Sequence, residues 1–156
     1  MAMITAVERV KYKRRSDVWI DGEKAFSLGV ELIALRGVRA GRDISDAEIV
    51  ELQDLDERQE AVAASLKLLS MSPRSEKDLR QRLRRRGLGR PAADAAVARM
   101  RELGYLDDAR FAKSYVESRQ SSTPRSRRFL AFELGQKGVA RELSAPALDK
   151  VSDEDA

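Results

Sequence analysis

The chain has 156 residues, of which 42% are hydrophobic and 36% are charged, and its formal net charge is +4. It contains no histidine and no cysteine, which excludes Ser-His-Asp and Cys-His catalysis, thiol redox chemistry, disulfides and the usual zinc sites. No apolar run approaches the roughly 20 residues of a membrane span, no signal-peptide core precedes the chain's first charges, and no Gly-rich phosphate-binding motif occurs, so we expect a cytoplasmic protein that is not an enzyme and uses no cofactor.

Residues 1–55 predict a small module that contains a β-hairpin. Residues 4–12 are rich in β-branched and aromatic side chains, and Asp21-Gly22 separates two further runs of this kind. An Asp-Gly pair in that position is a strong signal for a two-residue hairpin turn. The register of the hairpin stays open, because a two-residue turn sets the apolar Ile20 opposite the charged Glu23.

Two short helices are expected after the hairpin. The first covers residues 30–35 and ends at Gly37, and the second begins at a capping box formed by Ser45 and Glu48. The surrounding segment, residues 43–57, carries seven acids and no base. Such a strip could recognise a basic protein partner, which is one of the functions that we consider for this chain.

The rest of the chain repeats itself with an offset of 51 positions. Self-similarity of this kind indicates a supersecondary unit that is stabilised by packing on its own copy. We place the two copies at residues 56–104 and 105–151, with an acidic tail at 152–156. The matched positions are Pro73, Arg74, Ser75, Leu79, Leu83, Gly87 and Leu88 in the first copy, and Pro124, Arg125, Ser126, Leu130, Leu134, Gly138 and Val139 in the second.

Each copy predicts three short helices, because leucines recur at i and i+4 between clear start and stop signals. The predicted fold is therefore mainly α, with tandem three-helix repeats that follow the β-containing module. The first helix of the first copy is expected over residues 57–70. In the last helix of the second copy we expect Pro146 to delay or break the helix, with Ser144 as a new N-cap.

Positive charge is concentrated in the repeats. Residues 74–101 contain ten Lys or Arg against three Asp or Glu. This pattern fits either a solvated helix face or a surface that binds nucleic acid or a protein partner. Stacking of bases on aromatic rings is not indicated, since Tyr105 and Phe111 fall at expected core positions. The candidate binding residues are Lys77, Arg80, Arg84, Arg85, Arg86, Arg125, Arg127 and Arg128.

Two stretches, residues 73–87 (PRSEKDLRQRLRRRG) and 103–112 (LGYLDDARFA), resemble the bacterial regulatory RecX family. Residues 21–28 are similar to an N-terminal extension of many members, and residues 136–139 match the second family repeat. The resemblance covers about residues 4–150. It implies a modulator, usually an inhibitor, of the RecA recombinase. It further implies a curved stack of three-helix repeats that lies in the groove of the RecA–single-stranded DNA filament and impedes strand exchange and ATP hydrolysis.

The most recognisable part of the match, residues 105–111, also has a purely structural explanation. Asp107 fits an N-cap and Asp108 a favourable charge in the first helical turn, with the apolar neighbours packed in the core. The alternative is a direct partner contact through Tyr105 or Arg110. We therefore assign binding to the basic residues and not to this motif.

RecX proteins commonly carry three repeats, whereas this sequence shows two. We expect apolar residues of the second repeat to form an uncapped patch, so that the protein self-associates through this end or binds filaments less tightly than a three-repeat relative. These residues are Val139, Leu143, Leu148 and Val151. The favoured function is non-enzymatic regulation of RecA filaments with single-stranded DNA as a direct or indirect partner. The alternatives are a free-standing helical nucleic-acid-binding module and a protein-interaction adaptor.

Overall fold

The computed structural model describes residues 1–152, so the expected acidic tail lies outside the described residues except for Ser152. Two compact units divide the chain, the first formed by residues 1–59 and the second beginning at Glu60. No helix within residues 1–152 is long and apolar enough to cross a membrane. The elements are β1 (Ala2–Arg9), β2 (Arg15–Ile20), β3 (Glu23–Gly29), α1 (Val30–Arg36), β4 (Asp43–Ile44), α2 (Asp46–Met71), α3 (Glu76–Arg85), α4 (Arg90–Glu102), α5 (Asp108–Ser122), α6 (Arg127–Gln136) and α7 (Arg141–Leu148).

The N-terminal unit contains a four-stranded antiparallel sheet in the order β3-β2-β1-β4. Asp21 and Gly22 both have positive φ, 50° and 86°, as a two-residue hairpin turn of the primed type requires. Ile20 does pair with Glu23, and an irregularity between Val18 and Trp19 then shifts the register. The hairpin prediction is confirmed, and its register is now defined.

Helix α2 is longer than the sequence predicted. We expected one short helix after Ser45 and another over residues 57–70, but a single helix runs from Asp46 to Met71. No glycine or proline interrupts this stretch, so nothing in the backbone ends the helix at the change of composition. Ser45 does cap it, because its Oγ accepts a hydrogen bond from Glu48 N at 3.1 Å. The Glu48 carboxylate forms an ion pair with Arg42, so the predicted capping box has a different acidic half.

The two repeats fold as predicted around paired leucines. Leu79 and Leu83 of α3, and Leu130 and Leu134 of α6, are completely buried and turn the same face of each helix into the core. Because helices of about ten residues are marginal alone, this packing supplies most of their stability. The C-terminal half of α2 together with α3 and α4 forms the first repeat, and α5, α6 and α7 form the second.

The expectations for the end of the second repeat were wrong in two respects. Helix α7 is neither delayed nor broken at Pro146: it begins at Arg141, and Ser144 lies inside it with its hydroxyl donating to Arg141 O. Proline removes one backbone donor near the end of a short helix, and burial of neighbouring apolar side chains offsets that loss. Of the four residues of the expected patch, Val139, Leu148 and Val151 are buried and only Leu143 is exposed.

Candidate nucleic-acid and partner interface

The C-terminal end of α3 presents three consecutive exposed arginines, Arg84, Arg85 and Arg86. Burial of Leu83 turns these side chains outward, and Gly87, with φ of 90°, ends the helix directly after them. None of the three forms an ion pair with another residue of the part of the chain that the structure describes. Positive side chains at a helix C-terminus also interact favourably with the helix dipole. This cluster is therefore stable without a counter-ion from the protein and is available to a ligand.

The other two candidates on α3 have internal partners. Arg80 Nε donates to Asp94 of α4 at 2.8 Å, in a pair whose side chains are both largely exposed. Lys77 lays its aliphatic chain against Gly138 of the second repeat, and its Nζ lies 3.4 Å from Gln136 O. Arg80 is thus partly neutralised, whereas the charge of Lys77 is held at the contact between the repeats.

The candidates at the start of α6 differ among themselves. Arg127 donates from Nε and from a terminal nitrogen to Val151 O at 3.0 and 2.8 Å, so it ties α6 to the end of the second repeat. The Arg125 guanidinium lies 5.4 Å from the centre of the Phe129 ring. Arg128 is exposed and has no ion-pair partner within residues 1–152. Of these three residues, Arg128 is the one best placed to meet a ligand.

The predicted basic residues do not form a single cluster. Helix α3 begins where α6 ends, because Ser75 Oγ donates to Lys137 O at 2.7 Å. Arg84–86 and Arg128 lie near the opposite ends of these helices, each roughly 15 Å from the junction at 1.5 Å per residue. Lys77 lies at the junction itself. The positive charge is thus distributed along both helices.

A groove of about 430 Å³ lies between these two helices. We call it the α3–α6 groove and define it by Lys77, Gln81, Tyr115, Phe129, Phe132 and Lys137, which contribute to its lining. Phe129 is 41% exposed and Phe132 is 63% exposed. Sequence reasoning missed both, although Phe132 lies two positions from each of the buried leucines at 130 and 134 and so must face away from the core.

The two acids of the groove are already neutralised by cations. Glu133 accepts hydrogen bonds from both Arg119 nitrogens at 2.8–3.2 Å, and Asp78 pairs with Arg74 and Arg82. Burial acts to raise the pKa of Glu133, but hydrogen bonds from Arg119 and from the hydroxyl of Tyr115 outweigh it and lower that pKa. Both acids therefore stay ionised and compensated at neutral pH.

The remaining charge of the groove is positive. Lys77 and Lys137 have no ion-pair partner within residues 1–152, and Lys137 Nζ lies 5.5 Å from the centre of the Tyr115 ring. Burial, and then the hydrogen bond to Glu133, raise the pKa of Tyr115, so its hydroxyl remains protonated. Two lysines beside neutral aromatic surfaces favour an anionic ligand that carries flat apolar groups.

The motif at residues 105–111 has the structural role that we considered first. Asp107 Oδ1 accepts from Arg110 N at 3.0 Å and caps α5. Asp108 does more than place charge in the first turn, since its Oδ1 accepts from Glu76 N at 2.9 Å and caps α3 of the other repeat. Burial raises the pKa of Asp108, and this backbone hydrogen bond opposes the rise.

The expectation that Tyr105 is a core residue was wrong, because its side chain is 55% exposed. It follows the left-handed residue Gly104, which turns the chain out of the helix before Leu106 enters the core. Phe111 is half-buried and stacks on Tyr115 with 5.9 Å between ring centres. Arg110 donates to Gly104 O, so it supports the same turn.

The acidic segment over residues 43–57 is largely engaged within its own unit. Asp56 is buried and accepts from Gly29 N at 2.8 Å and from Arg15 at 2.7 Å. Glu51 pairs with Arg36. These contacts give the acids a folding role, which reduces the surface left for a basic partner. Within residues 1–152, no three His, Cys, Asp or Glu side chains are grouped to hold a metal ion.

Comparison with known proteins relates these features to a family. Residues 61–100 match the model of the first three-helix domain of RecX, and residues 107–148 match that of the second. The chain is 30% identical to the regulatory protein RecX of Caldanaerobacter subterraneus subsp. tengcongensis over 96% of this chain and 75% of that protein. It is also 30% identical to the regulatory protein RecX of Lactobacillus gasseri over 99% of this chain, although it spans only 57% of the length of that relative.

Solved structures agree on the fold. A crystal structure of a regulatory protein RecX has a TM-score of 0.74, 23% identity and coverage of 96% of this chain and 74% of its own. RecX from Lactobacillus salivarius has a TM-score of 0.58, 21% identity and coverage of 61% and 62%. Two successive domain matches and the near full-length relatives confirm the resemblance and agree with a non-enzymatic regulator. The chain belongs to the RecX family.

Proposed function

We propose that this chain regulates the RecA recombinase by binding the filament that RecA forms on single-stranded DNA, and that it thereby lowers strand exchange and ATP hydrolysis. The observation that carries the proposal is the pair of RecX three-helix domains in tandem, the first of which ends α3 in unpaired arginines. The relatives are named regulatory proteins. A binding protein that blocks or reshapes a filament needs no catalytic group of its own.

The contacts between the repeats support this function because they fix the spacing of the basic positions. Ser75 of the first repeat is bonded to the end of α6, and Glu76 N is bonded to Asp108 of the second repeat. Arg101 donates to both Glu76 carboxylate oxygens, at 2.6 and 2.9 Å. A pre-ordered surface loses little conformational entropy when it binds a long, regular partner.

The direct test is the ATPase and strand-exchange activity of RecA on single-stranded DNA, with and without this chain at sub-stoichiometric amounts. We expect both rates to fall. If a folded sample in excess leaves both rates unchanged, the proposal is wrong for this chain. DNA binding alone would not preserve it, because that result describes the free-standing module.

A triple substitution of Arg84, Arg85 and Arg86 by alanine tests the contribution of the α3 cluster. If each contacts a phosphate, the dependence of log affinity for single-stranded DNA or filament on log salt should lose about 0.7 per contact, and binding should weaken equally across sequences. Helix stability should change little, since alanine favours helix and the three side chains face solvent. An unchanged salt slope with an intact fold would identify the cluster as a solvated face.

A matched control removes the same total charge from the N-terminal unit. Lys11, Lys13 and Lys24 are exposed and lie in or beside its strands. Their triple replacement by alanine should leave the salt slope near that of the unchanged chain. Equal losses in the two triple variants would mean that net charge, and not the α3 cluster, determines binding.

A further inference from the structure

We propose that Phe132, at the edge of the α3–α6 groove, is a stacking platform for the bases of single-stranded nucleic acid. The inference rests on the proposed function and deepens it, because it assigns base contacts to a surface distinct from the α3 arginines. Phosphate contacts hold a strand without regard to its bases, whereas an aromatic ring requires a base whose face is free.

The apolar part of the site is the exposed ring of Phe132. The neighbouring Phe129 has one side covered by the Arg125 guanidinium, whereas Phe132 makes no ring contact of this kind within residues 1–152. At the matching position of the first repeat the chain carries Gln81, which also lines the groove. The fold therefore accepts a polar residue at this point of the helix, and the ring of Phe132 is not needed to fill a core.

The charged part of the site surrounds that ring. Lys77 and Lys137 lie on its α3–α6 side. On its other side Phe132 also lines a groove of about 580 Å³ between α6 and α7, together with Arg128 and Arg141 and a single opposing acid among its lining residues, Asp149. Because the acids of the α3–α6 groove are compensated by arginines, both sides of the ring attract anions. The combination of an exposed ring and flanking cations fits a polyanion with flat faces.

Single-stranded nucleic acid satisfies that requirement better than a duplex. In a duplex the faces of the bases are covered by their neighbours, so only phosphates would reach the flanking cations. In a single strand an unstacked base can lie on Phe132 while its phosphates meet Lys77 or Arg128. The expected selectivity is therefore for strands that carry bases, with little dependence on their sequence.

The test compares three 20-nucleotide probes in the absence of any recombinase: oligothymidylate, an abasic strand of the same length, and a duplex. The chain should bind oligothymidylate most tightly. Phe132→Gln, which installs the residue found at the matching position of the first repeat, should lower affinity for oligothymidylate about tenfold and leave affinity for the abasic strand unchanged. Phe132→Trp should retain the preference. The control Leu143→Gln replaces another exposed apolar residue, on α7, and should change none of the three affinities.

Equal loss of affinity for the abasic strand, or no loss for oligothymidylate, would overturn the stacking site. Displacement of oligothymidylate by an acidic, aromatic peptide that binds more tightly would overturn it as well, in favour of a protein ligand. The two proposals fail separately. If Phe132→Gln binds every probe normally while the unchanged chain suppresses RecA, only the stacking site is wrong; if stacking is observed without any effect on RecA, only the regulatory function is wrong.

Discussion

The contact between the repeats gives Ser75 two hydrogen bonds where its counterpart in the second repeat has one. Ser75 is completely buried, and its Oγ accepts from Asp78 N at 3.2 Å and donates to Lys137 O at 2.7 Å. Ser126 is the matching N-cap and accepts from Phe129 N at 3.2 Å. Loss of an N-cap costs about 1 kcal/mol, and a further intramolecular hydrogen bond contributes about 1 kcal/mol. We therefore expect Ser75→Ala to cost about 2 kcal/mol and Ser126→Ala about 1 kcal/mol.

Urea unfolding followed by circular dichroism at 222 nm measures both variants, since the helices dominate that signal. With a denaturant slope of about 2 kcal/mol per molar, the midpoint should fall by about 1 M for Ser75→Ala and about 0.5 M for Ser126→Ala. Trp19, the only tryptophan, lies in β2 and follows the N-terminal unit instead. Equal midpoints for the two variants would refute the reasoning, because they would show that the bond to Lys137 adds nothing beyond the cap.

Two further results follow from the same junction. Gly138→Ala should destabilise the chain by about 1–3 kcal/mol more than Gly87→Ala in the same unfolding assay: both glycines have positive φ, but a Cβ at Gly138 would lie 2.5–2.6 Å from side-chain atoms of Lys77, whereas a Cβ at Gly87 meets nothing within 4 Å. The hydrogen bond from Arg101 lowers the pKa of Glu76, so the stability that this ionised carboxylate contributes is present above the ordinary carboxyl pKa and lost as pH falls below it. Glu76→Gln should therefore be less stable than the unchanged chain at pH 7, and the difference should disappear towards about pH 3, as measured by unfolding at each pH.

Local signals in the sequence predicted most of the fold because each acts over a few residues. Asp21-Gly22 specified the hairpin turn, Ser75 and Ser126 specified helix starts, and the repeated leucines specified the buried faces. The same logic failed for α2, where a change in composition suggested a break that the backbone chemistry did not require. It failed again at Pro146, where tertiary burial outweighed the loss of one backbone donor.

The candidate site was less predictable because it depends on contacts between distant residues. Sequence identified Arg80 and Arg127 as free cations, but folding brings Asp94 to the first and the carbonyl of Val151 to the second. The cap that Asp108 supplies to the other repeat spans 32 positions and has no local signal. Phe132 was predictable from its spacing to the buried leucines, and it was missed because the search for aromatic residues stopped at the motif near Tyr105.

The most direct measurement of the central claim compares the affinity of this chain for a preformed RecA filament on single-stranded DNA with its affinity for the same DNA alone, at one salt concentration. If the chain is a filament regulator, it should bind the filament more tightly, since protein contacts add to those with nucleic acid. Equal or weaker binding to the filament would contradict the account and identify the chain as a free-standing nucleic-acid-binding module.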